Sequence, residues 1–393
     1  MPGAGIKRGE IMFGRLVAVT AAVAVSVLQA GGAQAAPGSS MLSAPGGPMP
    51  VGTTTMHLVQ HDRPDPFTPG SDRELMVSVF YPAADVTNLP RAHAVSAVVL
   101  PSLERQLGMS LPVLLSNSYQ DAPVAAGSYP VVLYSPGQSI PRLLGTGTAE
   151  ELASRGYVVV TVDHTGDSPV VEFPGGRIAG AATEFTALPG GQRRDIQVAD
   201  VEFVLDALTA LHAGADPDAE NRPLPMGLGA ALDLTRVGTF GHSLGGTTAV
   251  EVAARDPRID AVLDMDGAIS DSDDWGKTGT DGVRQPLLVL RSAQTVDNGS
   301  GHEAFAAMLD HAQTWKAELE LANSAHDDLT DLNRLIPSPM SMGGGMLVGP
   351  IAPARADAAL RTMVTSFFDK FLRGNGSTVL EHPETIPDIT VMR

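Results

Sequence analysis

Six consecutive residues carry the strongest chemical signal in the chain: Gly241-His242-Ser243-Leu244-Gly245-Gly246. They lie between an apolar run, Thr235 to Phe240, and a helical pattern, Leu244 to Arg255. Gly-x-Ser-x-Gly in that setting is a nucleophile elbow, a strained strand-to-helix turn that lifts the serine Oγ above the sheet edge. The glycines are needed because side chains two residues either side of Ser243 would meet neighbouring backbone. The helix N-terminus behind the serine favours negative charge.

Such a serine needs a base, and the base needs a carboxylate to orient it; in this architecture they follow in the order Ser, Asp or Glu, His, at the ends of later strands. The run Ile259 to Met265 leads into Asp264-Met265-Asp266-Gly267, with both acids on one face of the strand. Asp266, nearer the loop, is the expected orienting acid, and Asp264 is its alternative. The run Ala317 to Leu321 leads into Ala322-Asn323-Ser324-Ala325-His326, which puts His326 in the position of the base. Of the other histidines, His57 and His61 precede the sheet core and His93 lies in a loop. His242 is inside the elbow, while His212, His302 and His311 fall on helices. His164, at the end of another strand, is the rival. An oxyanion would be held by the backbone N–H of Leu244 and by one from the turn Ser135-Pro136-Gly137-Gln138. Pro136 has no N–H, so Gln138 is the second candidate, with its side chain a lesser possibility.

The elements that must position these groups read as one α/β domain. Thr53 to Asp62 and Arg73 to Tyr81 alternate like two antiparallel strands. Apolar runs at 130–134, 157–162, 235–240, 259–265, 286–290 and 317–321 alternate with helical patterns at 148–155, 194–212, 244–255 and 302–315. That alternation is the signature of a parallel sheet covered by helices on both faces. A last helix is expected from near Pro353 to Gly374. Two insertions, 165–191 and the Met- and Gly-rich 335–352, are longer than connections require and flank the proposed site. The second is either an adaptable apolar flap over an acyl chain or a surface loop.

Composition narrows the classes. The chain has 393 residues, 43% of them hydrophobic, a net charge of -18 and no cysteine. Disulfide scaffolds, cysteine-ligated metals and thiol catalysis are excluded, and the acidic balance argues against nucleic acid as a partner. Gly276-Lys277-Thr278 lacks the earlier glycine of a phosphate loop, Asp271 to Asp274 lacks an EF-hand pattern, and His302 and His311 lack the spacing of a helical zinc pair. No cofactor or metal is expected. Lys7, Arg8 and Arg15 precede the apolar run Leu16 to Leu28, which ends in Ala33-Gln34-Ala35. This reads as a secretory signal peptide over 1–35, too short to span a bilayer, followed by a flexible leader over 36–52 and a catalytic domain over 53–393. The expected product is a secreted protein with no stable membrane insertion.

With these residues in place, the chain resembles the α/β-hydrolase family of plasma-type platelet-activating-factor acetylhydrolases and their bacterial secreted relatives. The likeness spans roughly 73–371. It rests on Val79 to Pro82, Tyr134-Ser135-Pro136-Gly137, Val162-Asp163-His164, Phe203 to Leu208, the elbow, the Asp266-Gly267 step, and Ala325-His326-Asp327-Asp328-Leu329-Thr330-Asp331. The resemblance implies a Ser243–Asp266–His326 triad, and the 23-residue step from Ser243 to Asp266 matches the family and favours Asp266 over Asp264. Pro136 stands where a histidine is common, Gln138 where an apolar residue is usual and Leu329 where an aromatic is usual, so acetyl-phospholipid specificity does not follow. The expectation is a secreted serine esterase acting on a small or lipid ester. The alternatives are acyl transfer, attack on a polymeric ester and a non-catalytic binding protein on the same scaffold.

Overall fold

The computed structural model describes residues 39–268, 276–342 and 345–393. The segment read as a signal peptide lies outside the described residues. Sixteen strands are described: β1 Ser39–Met41, β2 Val51–Pro64, β3 Asp72–Pro82, β4 Arg91–His93, β5 Val113–Gln120, β6 Tyr129–Ser135, β7 Val158–Asp163, β8 Val170–Glu172, β9 Ile178–Gly180, β10 Leu232–His242, β11 Ala261–Met265, β12 Leu287–Ser292, β13 Lys316–Leu321, β14 Met340–Met342, β15 Gly345–Val348 and β16 Ile389–Val391. Twelve form one sheet in the order β1-β5-β2-β3-β7-β6-β10-β11-β12-β13-β16, with β4 on β5. The strands from β7 through β13 in that order are parallel, while β2/β3, β3/β7 and β13/β16 are antiparallel. This is the α/β-hydrolase fold.

The parallel strands are buried on both faces, and their alternation assigns each side chain to one of two cores. In β6, Val131 and Leu133 enter the core covered by the Gly190–His212 and Leu244–Arg255 helices, where they meet Val201, Val204, Leu208 and Val250. Val132 and Tyr134 face the opposite core, under the Thr146–Ser154 and Pro353–Arg373 helices, with Leu152, Met363, Phe367 and Phe368. The last helix opens at Pro353, where the missing N–H costs nothing, and closes on Gly374 at φ 69°, a left-handed cap that suits glycine.

Several regions differ from the expectation. The segment expected to be a free leader is laid along the fold: β1 pairs with β5, Leu42 is buried, and the Gly46 N–H bonds Glu151 at 2.7 Å. Both insertions carry hairpins, β8/β9 in the first and β14/β15 in the second. The helix from His302 stops at His311 because Ala312 turns extended, freeing Trp315 to pack on Phe367 and Phe371.

Candidate active site

β10 runs into Gly241-His242, and the chain then turns at Ser243 with φ 55° and ψ -124°. A non-glycine residue at that φ is strained, and the turn is held by backbone bonds on both sides. The Ser243 N–H donates to the Met265 carbonyl at 2.9 Å, and the Ser243 carbonyl accepts from Gly246 at 2.9 Å. The glycines are steric necessities: a Cβ on Gly241 would lie 2.1 Å from the Gly245 carbonyl oxygen, and one on Gly245 would lie 2.1 Å from that of Ser135. Ser243 itself is half-exposed, directly before the Leu244–Arg255 helix.

The turn after β11 carries Asp266, also at positive φ (59°) and only 4% exposed. Its Oδ2 accepts from His326 Nδ1 at 2.8 Å, Ser292 Oγ at 2.6 Å and Thr295 Oγ1 at 2.7 Å, and its Oδ1 accepts from the Ser292 N–H at 3.2 Å. Burial opposes ionisation, but the His326 bond and charge, with the two hydroxyls, hold the Asp266 carboxyl below its ordinary value. Asp264 has a different fate. Fully buried, it accepts from the Gly267 N–H at 2.8 Å with its Oδ2 unpartnered, and burial first, with Asp266 adding repulsion, pushes its carboxyl well above the ordinary range. The structure therefore joins the imidazole to Asp266 and leaves Asp264 buried behind it, bonded to the Gly267 N–H.

His326 follows β13 through a turn at Asn323 and opens a short 3-10 helix, His326–Leu329. Its N–H is held by Gln294 Oε1 at 3.1 Å and its carbonyl by His242 Nε2 at 2.9 Å, and the two imidazole rings lie 4.4 Å apart. The imidazole is thereby stationed against the residue that precedes Ser243. Its side chain is 35% exposed, and with Nδ1 engaged by Asp266 the Nε2 is left for a reacting group. Ser243 Oγ makes no hydrogen bond among the described residues; such contacts commonly tighten only when substrate is bound. Burial would lower the His326 pKa, but the Asp266 hydrogen bond and charge, with Asp327 and Asp264 beyond, outweigh it and raise the imidazole to about 9. His242 shows the opposite balance: burial and the neighbouring His326 lower it to about 3.

The oxyanion turn lies beside the serine, since a Cβ on Gly137 would be 3.0 Å from Ser243 Cβ. Neither the Gln138 nor the Leu244 N–H has an acceptor among the described residues, the Leu244 group being one of the orphan donors of a helix N-terminus. The Gln138 side chain is engaged elsewhere, its Oε1 accepting from Arg193 Nη1. It therefore leaves the backbone N–H as the available donor.

His164 belongs to a second array. Its Nδ1 meets Asp200 Oδ2 at 3.0 Å and its Nε2 meets Ser135 Oγ at 3.3 Å, all three residues being at most 1% exposed. Arg73 and Arg63 close on Asp200 at 2.5 Å and 2.6 Å, and Arg73 leads the groups that outweigh burial and hold it ionised. Burial bars this array from substrate, but it anchors the strand end from which the oxyanion turn departs. Sequence reasoning missed Ser135 and Asp200, along with Ser292 and Thr295, because each lies in a different element from the group it serves.

His242, His326 and Asp327 bring potential metal-ligating atoms within 4.8 Å of one another. The histidines already have duties, with Nε2 of His242 on a carbonyl and Nδ1 of His326 on Asp266. The donor set suits a positioned base better than a cation. A third apolar cluster joins Val99, Leu103 and Leu107 to Ile140 and Leu143, which follow the oxyanion turn in the chain, to Leu332, Leu335 and Ile336, which follow His326, and to Met340, Met342 and Leu347 of the β14/β15 hairpin.

Comparison with known proteins agrees with this architecture. The family model of platelet-activating factor acetylhydrolase, isoform II, matches residues 70–175. A probable 1-alkyl-2-acetylglycerophosphocholine esterase of Arthroderma benhamiae is 27% identical over 396 aligned residues, covering 90% of this chain and 94% of that protein. The solved structure of a ferulic acid esterase from Streptomyces cinnamoneus superposes with a TM-score of 0.75 at 31% identity, covering 90% of this chain and all of that one.

Proposed function

We propose that this chain, which belongs to the platelet-activating-factor acetylhydrolase-like family of α/β-hydrolase esterases, cleaves carboxylic esters through Ser243, His326 and Asp266 by way of an acyl-enzyme. The carrying observation is the Asp266–His326 pair at 2.8 Å, docked against the elbow that presents Ser243. Ser243 Oγ attacks the ester carbonyl while His326 Nε2 takes its proton. Asp266, kept ionised by its donors, fixes the Nδ1–H tautomer and stabilises the imidazolium. The Leu244 and Gln138 N–H groups receive the negative charge that develops on the carbonyl oxygen. His326 then protonates the leaving alcohol, and a water activated by the same imidazole releases the acyl group.

The apolar cluster reached from the oxyanion turn through Ile140 and Leu143 supports an acyl or aromatic substituent beside them and Met340 and Met342. The substrates to try range from the acetyl ester of the fungal relative's name to the ferulic acid ester of the structural relative's. Export through the 1–35 segment is part of this reading and is supported by its charge-apolar-small pattern. The test is hydrolysis of p-nitrophenyl esters from acetyl to dodecanoyl, with methyl ferulate added, by the wild type and Ser243→Ala. Activity confined to the wild type supports the reading. A folded wild type inactive on the whole panel, or an equally active variant, would refute it.

A further inference from the structure

Arginines in this acidic chain are mostly matched to carboxylates: Arg73 and Arg63 to Asp200, Arg142 to Asp163, Arg291 to Glu318. Arg193 is an exception beside the candidate site. Among the described residues no carboxylate lies within ion-pair distance of it, its Nη1 bonds the neutral Gln138 side chain, and its Nε is buried without a partner. Two anchors fix where it stands. Gln138 follows Gly137, where an added Cβ would lie 3.0 Å from Ser243 Cβ. One helical turn further along the Gly190–His212 helix, on the same face, Gln197 accepts from Thr248 Oγ1 of the elbow helix at 2.8 Å. Arg193 therefore flanks the oxyanion turn on the side of the elbow helix.

An acid that feels its charge is Asp167, whose two oxygens are already taken by the Ser139 N–H at 2.9 Å and Gln197 Nε2 at 2.8 Å. That carboxyl is also buried, and burial raises it to about 7 against the pull of its donors, so its charge is partial at neutral pH. A guanidinium has donors in a planar fork suited to carboxylate or phosphate oxygens, and Nη2 here has no acceptor among the described residues. Leaving it without a carboxylate in a chain of net charge -18 reserves it for an anion brought by something else.

We propose that Arg193 is a specificity residue that binds an anionic group, carboxylate or phosphate, on the ester substrate. This rests on the esterase reading above and names the substrate class within it. The proposal is tested with matched esters. Phenyl acetate against para-acetoxybenzoate and para-acetoxyphenyl phosphate places the anion on the alcohol side. p-Nitrophenyl butyrate against mono-p-nitrophenyl glutarate places it on the acyl side.

The readout is the ratio of kcat/KM for the anionic and neutral members, because Arg193 also holds Gln138 and its loss lowers both rates. In at least one arm the wild type favours the anionic ester. Arg193→Gln reduces that ratio roughly tenfold, the scale of a charged hydrogen bond, while Arg193→Lys keeps part of it and added salt erodes it. A ratio unchanged by Arg193→Gln in every arm, with folding verified by circular dichroism, overturns the proposal. If neutral esters are still cleaved in a Ser243-dependent way, only this inference falls; if no ester is cleaved, the esterase reading falls with it.

Discussion

Ser243, His326 and Asp266 are a set defined by geometry, and each has its own signature. The pH profile belongs to His326. The proposed mechanism needs the neutral imidazole, and the structure raises its pKa to about 9, above the ordinary value of about 6.5. The sign follows directly: kcat/KM rises as pH rises through the raised pKa and is lost as pH falls below it. A kcat/KM profile over pH 5 to 10 checks this, and an acid limb at or below about pH 6.5 would show that Asp266 does not raise the imidazole. Asp266→Asn removes the charge and misdirects the tautomer, so kcat falls by roughly four orders of magnitude, on the scale seen when serine hydrolases lose this acid. Asp264→Asn spares the pair at 2.8 Å, and a loss as large as that of Asp266→Asn would reverse their roles.

Elements were legible where their pattern was local. The Leu244–Arg255 helix and the last helix are found as the sequence implies, because caps and apolar spacing lie within the segment itself. β5 went unrecognised because Ser116 and Ser118 occupy buried positions that periodicity reserves for apolar residues. They are satisfied there by Glu150, at 2.5 Å and 2.7 Å, from a helix more than thirty residues away. The leader was misread for the same reason, since Gly46 finds its acceptor in Glu151, 105 residues on. In the site, the order of Ser243, Asp266 and His326 was readable, whereas the Ser292 and Thr295 hydroxyls on Asp266 appear only when β11 and β12 lie side by side. The β14/β15 hairpin carries a prediction of its own. Its Met340 and Met342 side chains pack toward the apolar cluster, so replacing both with serine lowers turnover of octanoyl and dodecanoyl esters relative to acetyl. An unchanged chain-length profile would make the hairpin a surface ornament.

The whole molecule sets stability against activity along the pH axis. Asp167 and Asp331 are buried and raised to about 7, chiefly by that burial, and His326 is raised to about 9. A group raised in the folded state contributes stability that is complete below its unfolded pKa and lost as pH climbs through the folded one. Carboxyls held low, such as Asp200 by Arg73 and Asp218 by Arg222, act in the opposite sense and lose their contribution below about pH 4. The Tm is therefore higher near pH 5 than near pH 8.5, in the direction opposite to activity, and then falls in strong acid. Thermal melts across that range check it, and a Tm that rises steadily to pH 8.5 is the contrary outcome. The two cores fix the scale of mutational damage: Phe368, fully buried against Phe240 and Phe367, costs about 3 to 5 kcal/mol when cut to alanine, measured by denaturant unfolding.

Among the described residues stand two Ser–His–Asp arrays, one half-exposed at the elbow and one buried behind the oxyanion turn, and the proposed chemistry belongs to the first. Labelling the wild type with a fluorophosphonate and mapping the modified peptide by mass spectrometry, with ester hydrolysis followed in parallel, separates them. The account predicts a single adduct on Ser243, formed in step with loss of activity and absent from Ser243→Ala. An adduct on Ser135, or hydrolysis that survives in Ser243→Ala, would contradict it.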